Sequence, residues 1–366
     1  MKKVLIAMSG GVDSSVAAAI LKDRGYECLG ATLKLFDNSV LPENYADGEP
    51  DNEKACCSQK DTDYARSVAV SMGMPYYVFN RVDLFRNTVI QDFVDNYSAG
   101  RTPNPCIVCN RCLKFGFLYD QAMLLGCDYV STGHYAQIEE QNGRFLLKKA
   151  VDQAKDQSYV LYFLTQEQLR HVIFPLGGLT KPEVRAIAAE KQFYNAQKPE
   201  SQDICFVPDG NYSDFICRFS DSSFPEGDFV DARGNVLGRH RGIIHYTIGQ
   251  RKGLGISAEA PLYVKQIDAD NNRVVLGRGN EMFSNECIVR DVNIISGIVP
   301  EAPFRAAVRI RYHHPEQPAE IIPLSPTEMA VRFDEPVRAI TPGQAAVFYD
   351  GDVVLGGGVI SSSSLV

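Results

Sequence analysis

The first two hundred residues alternate short apolar runs with amphipathic helical patterns, and this alternation restricts the fold more than any other feature of the chain. Residues 4–8 form an apolar run with the length of a buried strand. Val12, Val16 and Ile20 then recur at helical spacing, and Gly25 follows where the helix is expected to end. Strands that alternate with helices are typical of a parallel sheet covered on both faces, so the sequence predicts a doubly wound, Rossmann-like α/β domain.

The same alternation continues along the N-terminal part of the chain. A capping-box sequence that begins at Thr180 predicts the start of a helix. The polar, acidic stretch 37–54 is expected to be a surface insertion. The further predicted strands are 29–35, 76–79 and 129–132, and the further predicted helices are 61–72, 84–97, 113–125 and 181–190.

The character of the chain changes near Asn211, where glycine-punctuated, β-branched segments without long helical periods begin. The pair Asn271-Asn272 separates two apolar runs and predicts a hairpin turn. A further boundary is expected within 279–285. We therefore predict three domains, which are a catalytic domain at 1–210, a small β-rich central domain at 211–280 and a C-terminal β-barrel at 281–366.

Composition narrows the class of protein. No apolar run approaches the roughly 18 residues that cross a bilayer, so we expect no membrane partner. The ten cysteines include tight groups that are spaced poorly for a disulfide framework in a chain of 366 residues. We therefore expect reduced thiols and a cytoplasmic location, and we further expect a monomer in solution.

The charge pattern indicates that any contact with nucleic acid is local. A formal net charge of −8 repels phosphate at long range. Two stretches, 232–257 and 304–314, nevertheless carry arginines and no acidic residue. In the second stretch, apolar and basic residues alternate as they do on a strand with one core face, although a solvated surface explains the charges equally well. The basic members of that alternation are Arg305, Arg309, Arg311 and His313.

The segment from Ser9 to Ser15 reads SGGVDSS and lies between the first predicted strand and the first predicted helix. Backbone amides and the helix dipole converge on an anion at such a position. The segment lacks the lysine of a Walker loop, which serves transfer of a γ-phosphate. Asp13, near the helix start, is a candidate to hold Mg²⁺ on the phosphates. We therefore predict a phosphate loop that releases pyrophosphate from ATP, against the alternative of a helix start without a ligand.

This loop resembles the PP-loop of the N-type ATP pyrophosphatases, which belong to the HUP fold group. The loop alone does not choose among GMP synthetase, NAD synthetase, argininosuccinate synthetase and the tRNA-thiolating enzymes. Longer segments do choose, because together they resemble the tRNA-specific 2-thiouridylases over essentially the whole chain. These segments are RTPNPCIVCN at 101–110, TGHY at 132–135, KDQSY at 155–159, SQDICF at 201–206 and GQRKGL at 249–254.

The resemblance implies a tRNA-uridine 2-sulfurtransferase. ATP with Mg²⁺ would adenylate the O2 atom of the wobble uridine in the tRNAs for Lys, Glu and Gln, and sulfur would then replace AMP at C2. Cys109 would be the nucleophile. Cys205 would carry a persulfide received from an upstream sulfur carrier or a cysteine desulfurase. A thiolate is the reactive form of such cysteines, and nearby cations favour it.

The resemblance also assigns ligand contacts. Leu33 is equally compatible with ordinary core packing, and a histidine after a strand, such as His134, is also common as a structural residue. The residues expected to bind ATP are Ala7, Met8, Ser9, Gly10, Gly11, Val12, Asp13, Ser14, Leu33 and Gly133. The residues expected to bind tRNA are Asn104, Pro105, His134, Lys155, Asp156, Gln157, Arg311, Tyr312 and Gln344.

One position departs from the family, because many members have Asp three residues before the first catalytic cysteine and this chain has Cys106. Cys106 is a candidate to contact the base in place of that Asp. Alternatively, Cys106, Cys109 and Cys205 would hold an iron-sulfur cluster with one open iron, and a zinc site built from the same cysteines is a further alternative. Cys112 is a spare candidate. Cys28, Cys127, Cys217 and Cys287 are expected to be small buried residues.

Two other functional classes stay open at this point. An amide-forming PP-loop ligase would leave the cysteines incidental and the basic stretch 304–314 unexplained. A redox or iron-sulfur protein would use ATP only as a regulator. The two classes differ from a thiolating enzyme in what they require of Cys109.

Overall fold

The computed structural model describes residues 1–36, 59–196, 204–207, 210–220 and 222–362. The predicted insertion at 37–54 therefore lies outside the described residues. The N-terminal part contains a five-stranded sheet in the order β3-β2-β1-β4-β7, whose neighbouring strands pair in parallel. The predicted doubly wound sheet is thus confirmed. Its strands are β1 (Lys3–Ala7), β2 (Glu27–Lys34), β3 (Tyr76–Asn80), β4 (Tyr129–Ser131) and β7 (Val172–Ile173).

The predicted helices of this part are present, and two of them are longer than expected. The helix predicted at 113–125 begins at Pro105, because Asn104 accepts hydrogen bonds from the first backbone amides and proline suits the first helical position. The helices are α1 (Val12–Asp23), α2 (Gln59–Ser71), α3 (Val82–Phe85), α4 (Gln91–Ser98), α5 (Pro105–Cys109), α6 (Leu118–Leu124), α7 (Gln166–Arg170) and α8 (Lys181–Glu190), with π-helical turns Arg86–Ile90 and Asn110–Phe117 joining α3 to α4 and α5 to α6.

The central part carries a four-stranded sheet in the order β10-β11-β8-β9. The predicted hairpin is confirmed, since β10 and β11 are antiparallel and Asn272 has a φ of +50° in the turn. A short helix precedes this sheet and was not predicted. The elements are α9 (Tyr212–Phe219), β8 (Gly227–Val230), β9 (Val236–His240), β10 (Leu262–Asp268) and β11 (Arg273–Arg278).

The C-terminal part is the predicted β-barrel. Its strands pair in the order β12-β15-β14-β13-β16-β17, and β12 also pairs with β17, which closes the barrel. Its strands are β12 (Phe283–Ile294), β13 (Phe304–Arg309), β14 (Gln317–Ser325), β15 (Glu328–Arg338), β16 (Ala345–Asp350) and β17 (Val353–Ser362).

A hairpin from the N-terminal part joins the barrel sheet, which the sequence did not predict. The hairpin consists of β5 (Gln137–Gln141) and β6 (Arg144–Lys148), and β6 pairs with β17 at Val353 and Val354. The barrel is therefore attached to the parallel-sheet domain by backbone hydrogen bonds. Among the described residues, no helix is long and apolar enough to cross a membrane.

Candidate nucleotide and sulfur-transfer site

The phosphate loop leaves β1 at the carboxyl edge of the sheet and enters α1. Gly10 has a φ of +74°, and a Cβ there would lie 2.3 Å from the backbone oxygen of Asp61, so only glycine fits. The Ser9 amide donates to Ser14 Oγ at 3.2 Å, and the Ser14 hydroxyl donates to the Gly11 carbonyl at 3.0 Å. The loop is thus ordered by its own side chains, as an anion-binding loop at a helix start requires.

Gly133 follows β4 and packs closely against this loop, and its contact with ATP stays a prediction. A Cβ at Gly133 would lie 2.7 Å from the Ser14 amide nitrogen and 2.9 Å from the Asp13 carbonyl carbon. Both distances are shorter than real Cβ contacts, so a glycine is required for β4 and α1 to approach this closely. The close approach places the end of β4 beside the loop.

Asp13 is held by two side chains that the sequence did not single out. Lys181 Nζ lies 2.7 Å from Asp13 Oδ1 and 2.8 Å from Oδ2, and the Tyr135 hydroxyl donates to Oδ1 at 2.8 Å. A carboxylate has about four lone-pair positions, so Asp13 retains acceptor capacity for Mg²⁺ alongside these donors. Asp13 is the residue of this loop that would hold the metal.

Asn195 is a third residue of the loop environment that sequence reasoning missed. Its side chain is 2% exposed, and Nδ2 donates to the Gly10 carbonyl at 2.9 Å and to Ser15 Oγ at 3.0 Å. Its Oδ1 atom is buried and has no hydrogen-bond partner among the described residues. Asn195 therefore fixes the backbone of the loop from the side of α8.

Leu33, assigned to adenosine, is 7% exposed and belongs to a large apolar cluster that also contains Leu5 and Phe206. Ala7 packs against the same cluster. The core interpretation of Leu33 therefore accounts for its burial, and its contact with adenosine stays a prediction. Met8 and Val12, of the same assignment, are buried as well.

The two candidate cysteines share this apolar cluster. Cys109 ends α5, Cys205 lies in the described segment 204–207, and both are partly exposed and pack against the cluster. The ring of Phe206 stacks on Phe36 with centroids 6.4 Å apart. Phe36 lies two residues after the end of β2, so the Cys205 segment lies at the carboxyl edge of the sheet, where the phosphate loop also begins.

The remaining cysteines divide by exposure. Cys106 is exposed. Cys28 and Cys287 are buried as predicted, and burial raises the pKa of Cys28 to about 11 and that of Cys287 to about 12, which makes both unreactive. Cys127 is buried too. The prediction was wrong for Cys217, which is exposed because it lies on the outer face of the unpredicted helix α9.

The three cysteines proposed as cluster ligands do not converge on one point. Among the described residues, no three His, Cys, Asp or Glu side chains are placed to hold a metal ion. This finding covers Cys106, Cys109 and Cys205, all of which are described. The geometry therefore gives no support to an iron-sulfur or zinc site at these thiols.

Several residues assigned to tRNA are buried in internal contacts. His134 Nδ1 lies 2.7 Å from Thr132 Oγ1, and burial, with a smaller contribution from Lys114, lowers the pKa of His134 well below its usual value. Asp156 is 4% exposed and accepts from the Ser158 hydroxyl at 2.8 Å. Gln157 accepts from the Tyr135 amide at 3.0 Å. Their contact with tRNA stays a prediction, and each also orders the polypeptide.

The barrel contributes three of the assigned residues, which are Arg311, Tyr312 and Gln344. Arg311 donates to the carbonyls of Ile248 at 3.2 Å and Ala339 at 3.1 Å, so it joins the central sheet to the barrel, and burial lowers its pKa. Gln344 donates to the Thr102 carbonyl at 2.8 Å, which docks the barrel on the segment that leads to Cys109. Asn104 and Pro105 lie at the start of α5, the helix that ends at Cys109. Lys155 and Tyr312 are partly exposed.

The basic stretch 304–314 has the predicted alternation, since Ala306, Val308 and Ile310 are buried. Its charges are not free, however. Arg305 pairs with Asp334, and Arg309 lies 2.8 Å from Glu316 and 3.4 Å from Asp156. Acidic residues from other segments therefore pair with two of the four basic residues of this stretch, and its contact with phosphate stays a prediction.

Three family models match successive parts of this chain. Residues 2–209 match the model of the "tRNA methyl transferase HUP domain", 213–278 the "tRNA methyl transferase PRC-barrel domain" and 284–360 the "Aminomethyltransferase beta-barrel domain". The tRNA-specific 2-thiouridylase MnmA of Acetivibrio thermocellus is 52% identical over 98% of this chain and 99% of its own length. The MnmA of Clostridioides difficile is 48% identical over 99% of each.

A solved 4-thiouridine synthetase–RNA complex with bound ATP is 22% identical and covers 57% of this chain and 46% of its own, with a TM-score of 0.37, which is too low to carry an argument. The parallel sheet, the phosphate loop and the closed barrel define a HUP-domain protein with two β-rich C-terminal parts. Full-length identity of about one half to named relatives is decisive within that class. The chain belongs to the family of tRNA-specific 2-thiouridylases, MnmA.

Proposed function

We propose that this protein uses ATP to replace the O2 atom of a tRNA wobble uridine with sulfur, acting as a tRNA-uridine 2-sulfurtransferase. The observation that supports it best is that the phosphate loop and the Cys205 segment meet at one edge of the parallel sheet. Family membership supplies the substrate class, since the relatives are named tRNA-specific 2-thiouridylases. The tRNAs for Lys, Glu and Gln are the proposed substrates.

The chemistry proceeds in two steps. Uridine O2 attacks the α-phosphorus of ATP, the bond from that phosphorus to the bridging oxygen breaks, and pyrophosphate leaves with the electron pair. The terminal sulfur of a Cys205 persulfide, loaded by an upstream sulfur carrier or a cysteine desulfurase, then bonds to C2 and AMP leaves with O2. The N3 proton stays on the base.

Release of the product uses the second thiol. The Cys109 thiolate attacks Cys205 Sγ, the sulfur–sulfur bond breaks, and the sulfur on C2 keeps the electron pair as 2-thiouridine. A disulfide between Cys109 and Cys205 remains, which a cellular thiol must reduce before the next turnover. Arg111 and Lys114 are cations on the same continuous helix as Cys109.

The structure offers two surfaces for the tRNA. A cleft of about 420 Å³ between α4, α5 and the barrel is lined by Asn104, the guanidinium groups of Arg101, Arg111 and Arg290, and also by Asp92 and Asp291. Loops of the central part add exposed cations at Arg233, Arg241, Arg251 and Lys252. Local basic surfaces of this kind hold phosphates even on a protein of net negative charge.

The remaining assignments form part of the same proposal. The catalytic, central and barrel domains span 1–210, 211–280 and 281–366. The ATP-binding and tRNA-binding residues are those assigned by resemblance, with Mg²⁺ at Asp13. We place the enzyme in the cytoplasm as a monomer.

Two product measurements test the proposal. Purified protein with ATP, Mg²⁺, a persulfide donor and a substrate tRNA should form AMP and pyrophosphate, and digestion of the tRNA should yield 2-thiouridine. An amide-forming ligase would retain turnover in Cys109→Ser, whereas a thiolating enzyme would lose 2-thiouridine formation. If formation of 2-thiouridine depends on bound iron, the result would favour the iron-sulfur cluster mechanism over the persulfide mechanism.

A further inference from the structure

The phosphate loop has no lysine of its own, yet the structure brings one to it. Lys181 lies 168 residues further along the chain, and its Nζ is within 2.8 Å of both oxygens of Asp13 in the loop. The side chain of Lys181 is 9% exposed. A buried ammonium group is costly unless it is paired, so its placement beside the loop calls for a reason.

The helices α1 and α8 run parallel, with their first turns side by side. Asp13 and Lys181 join the first turns, whereas Asp23 and Lys191 join the other ends at 2.7 Å. Parallel helices add their dipoles, so both positive ends face the same place beside the loop. Lys181 adds a full positive charge at the end of α8 where a helix dipole disfavours cations.

The ammonium group of Lys181 lies beside the phosphate loop, where it suits a negatively charged ligand. Asp13 is the carboxylate that pairs with this ammonium group, whereas Asp152 and Glu183 accept hydrogen bonds from backbone amides at the start of α8. The Tyr135 hydroxyl also donates to Asp13, so the carboxylate keeps a partner when the lysine turns away. A lysine side chain is flexible and has three donors, so it can exchange one oxygen ligand for another at low cost.

We propose that Lys181 turns from Asp13 to the β- and γ-phosphates of ATP and is the cation that stabilises the departing pyrophosphate. The inference rests on the proposed function and adds to it the residue that the loop lacks. When the bond from the α-phosphorus to the bridging oxygen breaks, that oxygen keeps the electron pair. The ammonium group of Lys181 stabilises the charge that develops there.

Equilibrium binding to the full chain tests this role, with titration calorimetry of Mg²⁺-ATP, Mg²⁺-pyrophosphate and AMP. Lys181→Gln should weaken binding of ATP and of pyrophosphate about 10- to 100-fold, the worth of a hydrogen bond between charged groups, and leave AMP binding unchanged. Lys181→Arg should retain part of the affinity. Lys191→Gln is the matched control, because it removes an exposed ion pair between the same two helices and should change none of the three.

A purely structural lysine gives a different result, which is an equal loss for ATP and AMP or no loss for any ligand, and either would overturn the proposal. If Lys181→Gln does not fold, the double variant Asp13→Asn/Lys181→Gln is compared with the single variant Asp13→Asn. The double variant removes both charges of the ion pair and leaves no uncompensated charge. The double variant should then bind pyrophosphate more weakly than Asp13→Asn, and equal affinity would refute the role. Failure of the unaltered protein to bind Mg²⁺-ATP would instead refute the proposed function.

Discussion

At the scale of single residues, the site depends on two glycines as much as on residues that have side chains. Gly133 has no Cβ, and this allows β4 to approach the Ser14 amide at a distance that no other residue permits. Gly10 supplies the left-handed backbone that turns the chain toward α1. These two glycines were assigned from sequence, and the structure gives the physical reason for each.

Gly133→Ala should therefore weaken ATP binding. The added methyl group overlaps the backbone of α1, which costs about 1–3 kcal/mol and displaces the loop, so the affinity should fall about tenfold or more. Calorimetric titration with ATP measures the loss. Gly178→Ala is the control, because nothing lies within 4 Å of the added Cβ. Equal affinities of the two variants would contradict the role of this close approach.

His134 should make stability depend on pH. Burial lowers its pKa in the folded protein, so the unfolded chain binds the proton more readily, and stability is lost as the pH falls below about 6.5. The slope approaches about 1.4 kcal/mol per pH unit for one proton. Urea unfolding between pH 7 and pH 5 should show a shallower decline in His134→Gln than in the unaltered protein. Parallel curves would mean that His134 titrates normally.

At the scale of elements, the pattern of apolar residues predicted the longer helices and four of the five strands of the parallel sheet, because the helices bury one face and the inner strands bury both; the two-residue strand β7 was not predicted. It did not predict that β5 and β6 would join the barrel, since that pairing depends on contacts between Leu147 and Val354, which are distant in sequence. The early start of α5 was missed as well. Asn104 followed by Pro105 is nevertheless a local signal for a helix start.

The residues of the site also divide into those that local sequence signals predict and those that depend on distant contacts. The loop and Gly133 were found from sequence because their signals are local. Tyr135 and Lys181 were missed as partners of Asp13 because the pairing spans more than a hundred residues. A lysine in the first turn of a capped helix, against the dipole, was the one local sign that Lys181 has a special partner.

The ion pairs of Arg305 and Arg309 on β13 should contribute differently to the free energy of unfolding, because Arg309 is the more buried of the two arginines. Arg309 and Lys149 share Glu316 in a largely buried cluster that joins the β5–β6 hairpin to the barrel. Glu316→Gln leaves both cations short of an acceptor and should lower the free energy of unfolding by about 3 kcal/mol. Asp334→Asn breaks the exposed pair with Arg305 and should have no measurable effect. Urea unfolding compares the two, and equal losses would contradict the cluster's role.

At the scale of the whole molecule, the barrel contacts the segment that leads into α5, the helix that ends at Cys109. The Thr102 amide donates to the Pro342 carbonyl at 2.9 Å, and a Cβ at Gly343 would lie 2.9 Å from Thr102 N. With Gln344 on the same segment, these contacts hold the start of α5 against the barrel. The barrel therefore holds the start of the helix that carries Cys109 in place.

The proposed mechanism requires that the phosphate loop, Cys109 and Cys205 act on one uridine. A single turnover with protein loaded with persulfide, tRNA and Mg²⁺-ATP, followed by mass spectrometry of peptides under non-reducing conditions, tests it most directly. We predict a peptide that links Cys109 to Cys205, in amounts matching the 2-thiouridine formed, and none when ATP is left out. Formation of 2-thiouridine without that link, or with a link between other cysteines, would contradict the account.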